Sequence, residues 1–318
     1  MTRSGMLVLR SLDEAGTAGA LRGGAVAIGN MDGVHLGHRR LIEAVRGLAR
    51  TSGVLTFEPH PARVLRPELA PPLLTPLPRK LEILGELGLT ATVVQPFDLA
   101  YAATPAAEFV ACDLVTRLAV SHVVVGHDFT AGHERARVDA LRSLMAAHRI
   151  ALHVVEPVTC DGLVVSSTKV REFVLEGNAG AAALLLGRPY DLDGLVVHGA
   201  GRGRGLGFAT ANLQTAQLLP ANGVYAVAVR VAPPGELGAA TERAGVCNVG
   251  VKPTVEDAGG VGAEVHLLEH DGRDLYGQAI RVAFLCRLRD ERRFPSVEAL
   301  RRQIERDVEE ARAVWAKR

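Results

Sequence analysis

Over its first half the chain alternates short apolar runs with helical patterns, and over its second half it does not. The runs lie at 25–28, 54–57, 92–94, 123–125 and 152–155. Each is short and apolar on both alternating faces, as a strand covered from two sides must be. Between the first two, Leu41, Ile42, Val45 and Leu48 fall on one face of a helix predicted over 38–50. A second helix is predicted over 104–118, with Pro105 in its first turn. Such alternation predicts a doubly wound α/β domain on a parallel sheet.

The pattern changes after about Tyr190. Runs at 224–229, 245–249, 263–268 and 280–285 follow one another with Gly, Pro and Asn between them and no helix. This predicts an antiparallel β barrel or sandwich. A terminal helix then closes the chain. Ser296 suits its N-cap, and Val297, Leu300, Ile304, Val308, Ala311 and Trp315 form a stripe for packing on the barrel.

A length of 318 residues agrees with two domains, divided here as 1–186 and 187–318. At 48% hydrophobic and 22% charged residues, disorder and collagen are excluded. Lysine and arginine number 36 against 35 acidic residues, so no global field draws the chain to nucleic acid or an anionic membrane. No apolar run is long enough to span a bilayer, and the apolar stretch near the start is too short for a secretory signal. Cys112, Cys160, Cys247 and Cys286 are scattered, without a disulfide framework or zinc cage. The expectation is a soluble cytoplasmic protein, its oligomeric state open.

The densest stretch of the first half runs from Ala27 to His38. A strand ends, Gly29, Asp32 and Gly33 make a turn, and a helix begins. Ligands of open α/β sheets bind at such strand ends, and a helix N-terminus attracts phosphate. His35 and His38, three apart with Gly37 between, face one phosphate and would stabilise charge on a pentavalent transition state. A second stretch places Ser166, Ser167 and Thr168 before a helix predicted over 169–176, where Lys169 and Arg171 add positive charge. Alone, that is no more than an N-cap.

The first stretch resembles the His-x-Gly-His signature of nucleotidylyltransferases. Thr56-Phe57-Glu58-Pro59-His60-Pro61, Gly126-His127-Asp128-Phe129 and Val165-Ser166-Ser167-Thr168-Lys169-Val170-Arg171 follow in the order of the FMN adenylyltransferase module of bacterial bifunctional FAD synthetases. The resemblance implies a Rossmann-like nucleotidylyltransferase domain. It implies catalytic roles for His35, His38 and Arg171, phosphate binding by Gly29, Asp32, Gly37, Ser166, Ser167, Thr168 and Lys169, and flavin binding by Asp128 and Phe129.

In the second half, Gly199, Gly201, Gly203, Gly205 and Gly207 interleave with Arg202 and Arg204. Such a loop exposes backbone N–H groups that cradle phosphates. Thr210 and Asn212 alternate on an extended backbone and offer oxygens suited to Mg²⁺. Glu264 and His266 share one strand face, opposite Ala263, Val265 and Leu267. These pieces, with Asn222-Gly223-Val224-Tyr225, Asn248 to Thr254 and Leu288-Arg289-Asp290-Glu291, are similar to the riboflavin kinase module of the same family. The resemblance implies Glu264 as general base, Thr210 and Asn212 as metal ligands, Asn248 and Arg289 as flavin contacts, and MgATP as the phosphoryl source for both steps.

The chain departs from the family pattern at Met31, at Thr130-Ala131, around Arg137-Val138, at Lys169, Ala209 and Lys252, and over 255–260. Three readings follow: the bifunctional enzyme, a transferase acting on a flavin analogue or keeping one activity, or a flavin- or nucleotide-binding module without turnover. His35, His38, Arg171, Thr210, Asn212 and Glu264 favour the enzyme, since a pure binder has no need of a base.

Overall fold

The computed structural model describes residues 5–198, 210–233, 236–251, 261–269 and 275–318. Contacts divide the chain into two compact units: 1–72 with 77–166, and 73–76 with 167–318.

In chain order the first unit carries β1 (Leu7–Leu9), α1 (Leu12–Ala18), β2 (Ala25–Ile28), α2 (Leu36–Leu48), β3 (Ser52–Glu58), α3 (Pro61–Leu65), α4 (Leu77–Glu86), β4 (Ala91–Pro96), α5 (Leu99–Ala102) and α6 (Ala106–Glu108). A π-helix (Phe109–Arg117), β5 (His122–Gly126), β6 (Thr130–Ala131), β7 (Ala136–Arg137), α7 (Val138–Ala147), β8 (Ala151–Val155), β9 (Thr159–Cys160) and β10 (Leu163–Val164) complete it. Six strands form one sheet in the order β1-β4-β3-β2-β5-β8, and every pair is parallel. The strand order reverses beside β2, which puts the C-terminal end of β2 at the switch point where α/β sheets bind ligands.

Alternate residues explain why the strands read as continuous apolar runs. Val26 and Ile28 pack with Phe109, Val110 and Leu114 on one face, while Ala25 and Ala27 pack with Leu41, Ile42 and Val45 on the other. Each apolar residue removed from water contributes about 1.5–3 kcal/mol, so both faces must be covered. The helix predicted over 104–118 is α6 followed by the π-helix, in which the Leu118 N–H donates to Asp113 O at 2.8 Å. Its inward positions, 109, 110, 113 and 114, suit either helix type, so spacing alone does not separate them. The predicted α2 starts two residues earlier than its periodicity suggested, because His35 caps it.

The second unit contains α8 (Ser167–Leu175), α9 (Ala179–Leu186), β11 (Tyr190–Val197), β12 (Thr210–Gln214), β13 (Gly223–Ala232), β14 (Glu242–Val251), β15 (Val261–Leu267), β16 (Ala279–Arg289) and α10 (Val297–Ala316). Six antiparallel strands close into a barrel in the order β11-β12-β15-β14-β13-β16, with β16 pairing back to β11. Between barrel and sandwich, the fold is a barrel. Ser296 Oγ caps α10 by accepting from the Ala299 N–H at 3.2 Å. The stripe on α10 differs from its prediction. Val308, Ala311 and Val314 pack with Val224, Ala226 and Val246, whereas Val297 in the first turn is 59% exposed.

Candidate active sites

In the first unit the chain leaves β2 at Ile28 and enters α2 at Leu36 through a contorted turn. Met31 (φ 51°), Gly33 (φ 87°) and Val34 (φ 42°) all adopt left-handed backbone, and Met31 and Val34 are fully buried. For a β-branched residue this is strained, costing about 1–3 kcal/mol, and strain of that kind collects at functional sites. The turn is held from outside. The Asn30 carbonyl accepts from Thr56 Oγ1 at 3.1 Å and from Lys80 Nζ at 2.8 Å. Asp32 is buried in the same turn.

His35 is the N-cap of α2. Its Nδ1 accepts from the His38 N–H at 3.3 Å, which leaves its proton on Nε2. The two rings stack with centroids 3.7 Å apart. A Cβ at position 37 would meet His35 Cε1 at 3.0 Å, so glycine there admits the imidazole against the backbone. This sharpens the role expected for Gly37: its immediate beneficiary is the histidine ring. His38 Nδ1 is buried and finds no protein hydrogen-bond partner. Burial first, then His35 and then Lys80, push the His38 imidazole well below its ordinary range, so it is neutral near neutral pH. His38 therefore offers a neutral N–H donor beside the His35 ring.

A cleft of about 710 Å³ opens beside Gly29 and Asn30. Phe57, Phe97, Tyr101, Phe109 and Phe129 line it, together with Asp128. Phe97 meets both Phe57 and Tyr101 edge-on, with centroids 5.7 and 5.9 Å apart. An aromatic-walled cleft of this size suits a planar ligand carrying a polar tail. Thr130 and Ala131, where the family pattern changes, form the short β6–β7 hairpin and also line the cleft.

The serine-rich motif straddles the division between units. Ser166 ends the first unit, and Ser167 and Thr168 form the first turn of α8 rather than preceding it. Lys169 pairs with Glu172 one turn on, and Arg171 lies partly exposed on the same helix.

In the barrel one register row collects four predicted residues. Asn212 on β12 is paired with Glu264 on β15, Glu264 with Asn248 on β14, Asn248 with Val224 on β13, and Val224 with Arg289 on β16. Thr210 and His266 form the next pair on the same face. Ala211, Leu213, Ala263, Val265, Cys247 and Val249 alternate with them and are buried inside the barrel. The row lies on the opposite face, where Val224 packs with Ala311 of α10 and Asn212 is itself buried. Arg289 is not simply presented there, because Asp307 of α10 holds its guanidinium. Gly199, Gly201, Arg202, Gly203, Gly205 and Gly207 lie outside the described residues. His198, just before them, stacks on Tyr276 with centroids 3.6 Å apart.

The sequence reading missed Lys80, Tyr101, Phe97 and Asp307. Lys80 reaches the turn from a helix fifty positions downstream, and no local motif marks it. Thr210 and Asn212 supply a hydroxyl and a carboxamide oxygen, and no group of three or more His, Cys, Asp or Glu side chains that could hold a metal ion lies among the described residues. Such a donor set fits a cation that keeps water and phosphate oxygens, as Mg²⁺ does. No helix among the described residues is long and apolar enough to cross a membrane.

Comparison with known proteins meets the two halves separately. The family model for FAD synthetase matches residues 18–169, and that for riboflavin kinase matches residues 186–315. The chain is 39% identical over 301 residues to the bifunctional riboflavin kinase/FMN adenylyltransferase of Pseudomonas fluorescens, covering 93% of this chain and 94% of that one. Against the protein of that name from Escherichia coli (strain K12) the identity is 38% over 300 residues, covering 91% and 92%. Against that of Haemophilus influenzae it is 36% over 318 residues, covering 98% and 99%. A solved structure from Streptococcus pneumoniae, of a protein named macrolide-efflux protein, shares the fold with a TM-score of 0.83 at 28% identity, covering 97% of this chain and 99% of that one. With both modules matched in order and the full-length relatives covered nearly end to end, the chain belongs to the bifunctional riboflavin kinase/FMN adenylyltransferase family.

Proposed function

We propose that this chain phosphorylates riboflavin to FMN at its barrel and adenylylates FMN to FAD at its parallel sheet, using ATP for both. The stacked imidazole pair at the end of β2, opening beside an aromatic cleft, is the observation that carries the reading.

At the sheet, the flavin ring lies in the cleft against Phe57, Phe97 and Tyr101 while Asp128 and Phe129 bound its edge. A phosphate oxygen of FMN attacks the α-phosphorus of ATP, the bond to the β-phosphate oxygen breaks, and pyrophosphate leaves. The N–H groups of His35 and His38 donate to oxygens on the phosphorus that gain charge in the transition state. Gly29, Asp32 and Gly37 shape the turn that receives the nucleotide. Ser166, Ser167, Thr168, Lys169 and Arg171 hold the departing phosphates.

At the barrel, Glu264 accepts the proton of the terminal ribityl hydroxyl as that oxygen attacks the γ-phosphorus and ADP leaves. Asn212 and Asn248 flank Glu264 in the register row and orient it and the flavin. Thr210 and Asn212 would hold Mg²⁺, which when bound neutralises phosphate charge. The glycine-rich loop at 199–207 would cradle the triphosphate. The two functional modules are assigned to 1–186 and 187–318, and the protein to the cytoplasm.

Chromatographic product analysis with riboflavin and with FMN as separate substrates tests each half. The reading expects FMN and then FAD from riboflavin, and FAD with pyrophosphate from FMN. Well-folded protein that turns over neither would overturn it.

A further inference from the structure

We propose that Lys80 is a positioning residue for adenylyl transfer, its ammonium holding the strained turn that carries the imidazole pair. The inference rests on the adenylyltransferase reading of that site.

Lys80 lies on α4 and is 4% exposed. A lysine is seldom buried so completely unless paired, and an apolar side chain would fill the same space without desolvating a charge. What Lys80 touches accounts for its presence. Its Nζ donates to Asn30 O at 2.8 Å, and Asn30 lines the cleft where β2 gives way to the turn. Thr56 donates to the same carbonyl. Two donors converging on one carbonyl fix the peptide from which the left-handed residues Met31 and Val34 follow. Without that anchor the turn has reason to relax, carrying His35 away from its ring contact with His38.

The ammonium also sets the charge of the pocket. The groups facing it are Asp32 in the turn, Glu58 at the end of β3, and the His38 imidazole. The carboxylates Asp32 and Glu58 favour its charged form against the cost of burial. Its positive charge in turn disfavours a proton on His38, alongside burial and His35. Lys80 thus acts on geometry through Asn30 and on protonation through His38. Its neighbour Arg79 points to Glu82 instead, 3.2 Å away.

The test uses full-length Lys80→Met and Lys80→Gln, with FAD formation from FMN and ATP measured between about pH 5.5 and 8. Both variants are expected to move the acid limb of the rate profile upward, toward neutrality, because His38 loses a repelling charge. The Met variant, lacking any donor to Asn30, is expected to lose roughly ten- to a hundredfold in kcat with little change in KM for FMN. The Gln variant, which keeps a donor, is expected to lose less. An unmoved acid limb with kcat within about twofold of the parent overturns the proposal, and if the Met variant does not fold the Gln variant decides by its acid limb. A parent protein that makes no FAD from FMN would instead overturn the assignment of function, so the two failures are distinguishable.

Discussion

Arg289 is clamped by Asp307: its Nε donates to both carboxylate oxygens at 3.0 and 3.1 Å, and its NH2 group donates at 2.8 Å. The pair joins the end of β16 to the middle of α10, and Gln303 Nε2 adds a donor to the same carboxylate at 2.7 Å. The Asp307 side chain is 4% exposed and that of Arg289 18%. Removing one partner of such a pair strands the other. Asp307→Ala should destabilise the barrel unit by about 3 kcal/mol, the lower end for a buried pair. In a denaturant melt the loss should appear in the barrel's transition. FAD formation from supplied FMN should be kept, and an unchanged melt would show that Arg289 is adequately solvated alone.

Glu264 sits between Asn212 and Asn248 on a face whose alternate residues fill the barrel. Glu264→Gln keeps shape and hydrogen bonding but cannot accept the proton. FMN formation from riboflavin should fall by about 10²–10⁴-fold, with adenylylation of FMN intact. Equal loss of both activities would point to misfolding, and full kinase activity would remove Glu264 from the role of base.

Legibility followed locality. β2, the α2 face and the Glu264 strand could be read because strand and helix periods write themselves into neighbouring residues. The edge strand β1 has three residues and one partner, β4, too little for a periodic signal. Lys80 and Asp307 act across the fold, one on Asn30 and one on Arg289, and nothing beside them in the chain announces the partner. Arg289 itself was legible as a motif residue, but the carboxylate that engages it was not. The register row was half legible: alternation gives the face of each strand, whereas only the pairing sets Asn212, Glu264 and Asn248 side by side.

The depressed histidines make stability depend on pH with a definite sign. The ordinary imidazole value is about 6.5. His38 is held well below it by burial, then His35, then Lys80, and His153 is lowered by burial, then His122, then Arg142. Below about pH 6.5 the unfolded chain takes up protons that the folded chain refuses, so stability is complete above that pH and declines as pH falls toward the folded values. Thermal midpoints at about pH 7.5 and 5.5 should differ accordingly. His38→Asn should shrink the difference, and a difference unaltered by that change would assign the acid sensitivity elsewhere.

The wall of the aromatic cleft is set from behind by the π-helix. Tyr101 Oη donates to Asp113 Oδ2 at 2.8 Å, and Arg117 donates to Asp113 Oδ1 at 2.6 Å and to Asp13 at 2.7 Å. Burial, then Asp113, push the Tyr101 phenol upward, so it remains a donor throughout the working range. Asp113 is itself buried, and its carboxyl is raised by that burial against the hydrogen bonds of Tyr101 and Arg117. The ring of Tyr101 is thus oriented against Phe97 by a carboxylate that does not line the cleft. Asp113→Asn should raise KM for FMN severalfold at nearly constant kcat, and Tyr101→Phe should do much the same. Because the two residues share one hydrogen bond, the double variant should fall short of the sum of the single effects by about 0.5–1 kcal/mol, up to the size of one single effect. Strict additivity would mean that Tyr101 keeps its place by ring packing alone.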